Sequence, residues 1–130
     1  MKFIALICES NKPNANNRIY PKDILAEQVD SLQDDVKQRR LMGELGQPSD
    51  ATIHLDKVSH IITDLYMSDN LMMAEIEVLD TTNGKKLKEL LSNGQVGFRM
   101  SGIGSGTMKY NQFIIDEFKL IQIFACENPA

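Results

Sequence analysis

Three glycines lie close together in residues 95–107, which read Gln-Val-Gly-Phe-Arg-Met-Ser-Gly-Ile-Gly-Ser-Gly-Thr. An apolar approach leads into Gly102, Gly104 and Gly106, and two serines are interleaved with them. Glycine permits positive φ and the close approach of another backbone or of a ligand. The stretch therefore predicts a strand that presents its amides and neighbouring side chains to a site. The alternative is a bulged strand in any β-rich domain.

The rest of the chain alternates between short apolar strands and amphipathic helices. Further strands are predicted at 3–9, 58–67, 71–79 and 113–126, with tight turns at 68–70 and 110–111. Helical spacing of apolar residues predicts one helix from Pro21 to Arg40 and a second over 83–91, and two glycines and a proline predict a turn within 41–50. The pattern indicates a single α+β domain, residues 1–130, in which two helices and about six strands form a mostly antiparallel sheet, curved toward a barrel.

Composition excludes several classes of function. A net charge of −4 argues against sequence-independent nucleic-acid binding, which needs clustered lysines and arginines. No apolar run approaches the roughly 18 residues of a membrane span, and the first eight residues are too short for a signal peptide, so we expect a cytoplasmic protein. Cys8 and Cys126 lie far apart without metal-ligand spacing, which predicts reduced thiols and neither a metal nor a cofactor.

Three segments resemble, in order, motifs of the prohead core serine proteases of large tailed bacteriophages. Residues 17–25 read N-R-I-Y-P-K-D-I-L, similar to that family's entry into its first helix. Residues 43–48, G-E-L-G-Q-P, are similar to its G-E-L-x-H-P turn. Residues 96–105, V-G-F-R-M-S-G-I-G-S, follow its [IV]-G-[IV]-S-S-R-G-x-G-S strand, and weaker similarities lie at 58–62 and 118–120.

The resemblance implies a protease frame whose catalytic positions are changed. The family's general-base histidine corresponds to Gln47, its nucleophilic serine to Arg99 and the serine after it to Met100. An aspartate of the family's last strand would correspond, more loosely, to Phe124. A glutamine cannot accept a proton at pH 7, and an arginine stays charged and is not nucleophilic. The glutamine at 47 and the arginine at 99 together predict a chain without proteolytic activity.

A relocated catalytic centre is the alternative. The chain has two histidines, so the base would be His54 or His60, and the nucleophile would be Ser101 or Ser105. Ser101 is two residues from Arg99 and therefore points to the same face of a strand. An imidazole hydrogen-bonded to a serine hydroxyl beside the glycine-rich strand would favour an active endopeptidase.

The sequence thus predicts a non-enzymatic phage protein that binds partners through the former cleft. The resemblance implies partners among capsid, scaffold and other virion proteins, with self-association as a further interaction, and a location in the host cytoplasm during assembly or in the virion. The residues predicted to contact the partner are Arg99, Ser101, Gly102 and Gly104. Arg99 would supply a fixed positive charge for an acidic or carbonyl-rich segment. A curved sheet also offers an edge for strand addition.

Overall fold

A computed structural model describes residues 1–94 and 96–127, and within these ranges the chain forms seven strands and three α-helices. The strands are β1 (Lys2–Glu9), β2 (Arg18–Ile19), β3 (Met42–Glu44), β4 (Val58–Ser68), β5 (Leu71–Val78), β6 (Gly97–Lys109) and β7 (Gln112–Cys126). The helices are α1 (Lys22–Ser31), α2 (Gln33–Lys37) and α3 (Thr82–Asn93), and a 3₁₀ turn spans Leu55–Lys57.

Two sheets are joined into an open barrel. One has the strand order β1-β5-β4-β3 and the other β2-β7-β6. Their junction is a parallel bridge between Leu45 and Ala125, where the Gly46 amide donates to the Ala125 carbonyl at 2.7 Å. On the other side β1 lies beside β6, with the rings of Phe3 and Phe98 5.7 Å apart. The predicted curved, mostly antiparallel α+β fold is confirmed, and β2–β7 is its short parallel pair.

The β4–β5 hairpin supplies much of the core. Met72, Ala74 and Ile76 are fully buried, whereas Glu75 and Glu77 lie on the opposite face of β5. Glu77 pairs there with Arg39 at 2.7 Å. The hairpin turns at the predicted place, where Asp69 has a positive φ of 51°. Period-two alternation therefore predicted which face of this strand is buried.

The first predicted helix is two helices, separated at Leu32 (φ −99°, ψ 1°). Leu25 and Val29 of α1 are buried against β4 and β7, so the amphipathic pattern identified the correct face. The second predicted helix agrees with its sequence signals more closely. Its N-cap is Thr81, whose hydroxyl accepts a hydrogen bond from the Gly84 amide at 2.9 Å.

The predicted turn at 41–50 is partly wrong, because Met42–Glu44 pairs with β4 as strand β3. Gly43 lies opposite His60, and a Cβ added to Gly43 would come within 2.1 Å of the His60 Nε2 and of the Ile123 carbonyl oxygen. The glycine that suggested a turn is thus needed for close packing of three strands. A three-residue strand has little local signal, so tertiary pairing decided its structure.

The glycines of β6 also serve packing. Among the described glycines the positive φ belongs to Gly46 (95°), so the β6 glycines use the close approach that glycine permits and not its positive φ. A Cβ on Gly102 would lie 2.8 Å from the Phe118 ring and 2.2 Å from the Lys119 carbonyl oxygen. Phe118 also meets Gly104, and Phe113 meets Gly106. The absent side chains leave room for aromatic rings of the neighbouring strand.

His60 is a buried polar residue with both ring nitrogens satisfied. Its Nε2 donates to the Ile123 carbonyl at 2.7 Å, which leaves Nδ1 to accept a hydrogen bond from the Ser59 hydroxyl at 2.7 Å. Both side chains are 0% exposed, and the edge of the imidazole meets the Phe98 ring at 5.3 Å. Burial lowers the pKa of His60 from 6.5 to about 4. The histidine is therefore held neutral as a structural member of the core.

We expect Gly102→Ala to lower the free energy of unfolding by about 1–3 kcal/mol, because the new methyl group overpacks the Lys119 backbone and Phe118. Denaturant unfolding followed by circular dichroism measures the change. Gly94→Ala is the matched control, since its Cβ would meet only the Leu90 carbonyl at an ordinary 3.6 Å. Equal stabilities for the two variants would contradict the packing role.

We expect the free energy of unfolding to fall as the pH drops from about 6.5 to 4. The unfolded chain takes up a proton on His60 in this range while the folded chain does not, because the folded pKa lies near 4. Each pKa unit is worth about 1.4 kcal/mol, so the loss is on the order of 3 kcal/mol. Denaturant unfolding at pH 7 and pH 4.5 should give a smaller difference for His60→Gln than for the wild type. The same pH dependence in both proteins would refute this assignment.

Candidate functional site

The fold brings together the two segments that carry Gln47 and Arg99. Leu45, Ala125 and Phe98 form one row across three adjacent strands, because Ala125 pairs with both of the others. Gln47 lies two residues to one side of this row, in the exposed loop after β3. Arg99 lies one residue to the other side, because Leu45 bridges Ala125 in parallel whereas β6 runs antiparallel to β7. Residues about fifty positions apart in the chain thus flank the same point of the sheet.

The register of β6 and β7 assigns the side chains to faces. Arg99 lies opposite Phe124 and Ser101 opposite Gln122, and the first of the two bulges of this pair comes only after Ser101. Arg99 and Ser101 therefore share a face, as their spacing predicts. Met100, at the position of the family's second serine, packs against the hydrophobic core.

Two neighbouring clefts contain most of the predicted contact residues. A narrow cleft of about 50 Å³ is lined by Arg99 and Met100, and a more open one of about 320 Å³ by Gly102 and Gly104. Ser101 lines neither cleft. The full linings are Ile7, Cys8, Asn14, Ala15, Asn16, Arg18, Tyr20, Arg99 and Met100 for the first, and Arg18, Tyr20, Gly102, Gly104, Phe113, Ile115 and Phe118 for the second.

Arg18 and Tyr20 line both clefts, and the sequence analysis assigned them no role. Strand β2 positions them by pairing with the start of β7, where Arg18 lies opposite Phe113. The Tyr20 ring meets Phe118 edge-on at 5.3 Å, and burial raises the pKa of Tyr20 while the nearby Arg18 opposes that rise. The signal that could have identified them is their position in the first motif of the family. Arg18 and Arg99 give the narrow cleft two guanidinium groups.

Within the described residues, neither histidine is hydrogen-bonded to Ser101 or Ser105. His60 bonds to Ser59 and Ile123, and His54 lies against Glu44. The Ser105 hydroxyl donates to Asp116 at 3.2 Å. An imidazole does therefore meet a serine hydroxyl, in the Ser59–His60 pair, but both groups are sealed from solvent and no peptide can reach them.

A buried carboxylate, Glu44, connects β3, β7 and the loop after β3. Its Oε2 accepts hydrogen bonds from Gln122 Nε2 at 2.8 Å, from the His54 amide at 3.0 Å and from His54 Nδ1 at 3.3 Å. The Glu44 amide donates to Gln122 Oε1 at 2.9 Å. Burial would raise the pKa of Glu44, but the hydrogen bonds from His54 and Gln122 outweigh it and hold the pKa below its ordinary value. Glu44 is therefore ionised at neutral pH.

Three further features of the described residues concern metal binding, membrane spans and the Cys8 thiol. Among residues 1–94 and 96–127 no group of three or more histidine, cysteine or acidic side chains has the geometry to bind a metal ion. No α-helix there has both the length and the apolar character to cross a membrane. The thiol of Cys8 is held in its protonated form, since burial raises its pKa to about 11.

The solved structure of the bacteriophage T4 capsid assembly protease has the same fold. It superimposes on this chain with a TM-score of 0.91 at 27% sequence identity. The superposition covers 98% of this chain and 82% of that one. The two proteins therefore share one architecture over nearly the whole of this chain.

Sequence comparison leads to the same group of proteins. The chain is 31% identical over 98 residues to the prohead core protein protease of Enterobacteria phage T4, an alignment of 72% of this chain and 46% of the relative. The chain thus spans about half the length of that curated relative. Residues 3–125 match the family described as prohead core protein serine protease. The resemblance inferred from three motifs is confirmed, and this chain belongs to the prohead core protein serine protease family.

Proposed function

We propose that this chain is a catalytically inactive member of the prohead protease family that acts by binding other phage proteins during capsid assembly. Arg99 at the nucleophile position carries this proposal. A guanidinium cannot attack a peptide carbonyl, and Gln47 cannot take up the proton that such an attack would release. In subtilisin, loss of the nucleophile or of the base alone reduces turnover by about a millionfold, so replacement of both leaves no useful activity.

The surroundings of the two histidines argue against a relocated catalytic centre and so support the proposal. A serine hydrolase needs an accessible hydroxyl within about 3 Å of a base. His60 is held by hydrogen bonds inside the core, and His54 faces Glu44 and Asp50. The alternative, an active endopeptidase built on Ser101 with His60 or His54, would require rearrangement of one of these networks.

The clefts beside β6 support a role in binding. Arg99 of β6 and Arg18 of β2 place two positive charges in the narrow cleft. Guanidinium groups form strong charge-assisted hydrogen bonds with carboxylates, and an extended segment can add to a strand edge. The partner segment is therefore extended and either acidic or rich in accessible carbonyls, with Arg99, Ser101, Gly102 and Gly104 in contact.

The partners we propose are capsid, scaffold or other virion proteins, together with a second copy of this chain. The T4 relatives support this choice, since one is described as a prohead core protein protease and the other as a capsid assembly protease. The proposed location is the host cytoplasm during assembly, and then the virion if the chain stays bound. Mass spectrometry of purified particles tests the virion location.

A fluorophosphonate serine probe tests the absence of catalysis. The purified chain should show no labelling and no cleavage of itself or of phage scaffold protein, while trypsin treated in parallel is labelled. Labelling that disappears in Ser101→Ala would contradict the proposal and establish the relocated centre.

We expect Arg99→Ala to weaken binding to purified phage scaffold or shell protein by about ten- to a hundredfold, because one charge-assisted hydrogen bond of about 1.5–3 kcal/mol is lost. Biolayer interferometry at two salt concentrations measures the change, and wild-type binding should weaken as salt rises. Arg40→Ala is the matched control, since Arg40 is an exposed arginine paired with Asp35 of α2 and lies outside both clefts. Equal affinities for the two variants would place the interface elsewhere.

A further inference from the structure

His54 lies between two carboxylates. Its Nδ1 is 3.3 Å from Glu44 Oε2, and its Nε2 is 3.5 Å from Asp50 Oδ2. Glu44 belongs to β3 and is almost fully buried, whereas Asp50 belongs to the loop that follows and is exposed. The ring therefore joins the loop to the barrel wall.

Only a protonated His54 ring can donate a hydrogen bond to both carboxylates. A carboxylate only accepts hydrogen bonds, and both imidazole nitrogens are donors only in the imidazolium form. When the ring is neutral with its proton on Nδ1, the contact with Glu44 remains. The lone pair of Nε2 then faces the negative charge of Asp50, and that contact loses its attraction.

The contacts fasten the segment from Gly46 to His54. At one end the Gly46 amide donates to Ala125, and at the other the His54 amide donates to Glu44. Between these ends Asp50 Oδ1 accepts hydrogen bonds from the Thr52 amide at 3.0 Å and from the Thr52 hydroxyl at 2.7 Å, which orients the Asp50 carboxylate. Gln47 lies within the same segment.

We propose that Glu44, His54 and Asp50 form a pH-sensitive clasp that holds the 46–54 loop against the barrel when His54 is protonated and loosens it when His54 is neutral. The loop borders an apolar cleft with Leu90, Val96 and Ala125, through Leu45 and Gly46. Loosening the clasp alters this border and the position of Gln47. The clasp does not depend on whether the chain cuts peptides or binds them.

The other charged groups near the ring do not titrate with it. Hydrogen bonds from Thr52 hold the pKa of Asp50 below its ordinary value, and the pKa of Glu44 is also lowered. Both carboxylates therefore stay ionised between pH 5.5 and pH 8. Asp56 and Lys57, on the 3₁₀ turn that follows, are exposed and form no ion pair with His54 within the described residues.

Hydrogen exchange of the whole chain, read by mass spectrometry on peptides covering 46–54, tests the clasp. Protection factors corrected for the intrinsic effect of pH should be about threefold higher at pH 5.5 than at pH 8, as expected for one partly exposed ion pair. In His54→Gln the ratio of protection at pH 5.5 to protection at pH 8 should fall to about one. The side-chain amide of glutamine can still donate a hydrogen bond to Glu44, but it carries no charge at either pH. Asp50→Asn should lower the ratio in the same way.

Asp69→Asn is the control, since it removes a carboxylate from the exposed β4–β5 turn and should keep the wild-type ratio. Asp50→Asn alters an exposed side chain, so it remains informative if His54→Gln fails to fold. Equal protection at the two pH values in the wild type, absence of protection at both, or an unchanged ratio in Asp50→Asn would overturn the proposal. The fluorophosphonate and scaffold-binding experiments are independent of each of these outcomes.

Discussion

The barrel depends on the hydrogen bonds between Glu44 of β3 and Gln122 of β7. These two buried side chains connect the sheets, because the Glu44 carboxylate accepts from Gln122 and the Glu44 amide donates back to it. A buried carboxylate without donors would cost several kcal/mol, so the fold is stable only when Gln122 and His54 reach it. The requirement fixes the relative position of β3, β7 and the loop between β3 and β4.

The two faces of strand β7 make different contacts. Gln122 and Phe124 lie on one face with Arg99 and Ser101, while Ile123 and Ala125 belong to the core. The backbone carbonyls of the same strand serve as acceptors, since Ile123 bonds to His60 and Ala125 to Gly46. One strand thus holds the core histidine, the sheet junction and the loop that carries Gln47.

Gln47 and Arg99 are not among the residues that hold the fold. Gln47 is exposed in its loop, and Arg99 points away from the face of β6 that packs into the core. The glycines of β6 are retained for a different reason, because Phe113 and Phe118 occupy the space that their side chains would fill. The architecture shared with the T4 capsid assembly protease, at a TM-score of 0.91, is therefore held by residues other than Gln47 and Arg99.

The sequence by itself determined the features that depend on neighbouring residues. Alternation identified the buried face of β5, and Thr81 marked the start of α3. Only the tertiary structure decided that Met42–Glu44 is a strand, that Arg18 and Tyr20 line the clefts, and that His54 meets Glu44 and Asp50. Those contacts join residues far apart in the chain or across a loop, and they depend on register. A shift of one residue turns every side chain of a strand to the other face, so the bulges in β3–β4 and β6–β7 control these contacts. The glycines of β6 indicated a bulged strand, but no local pattern fixed the register that results.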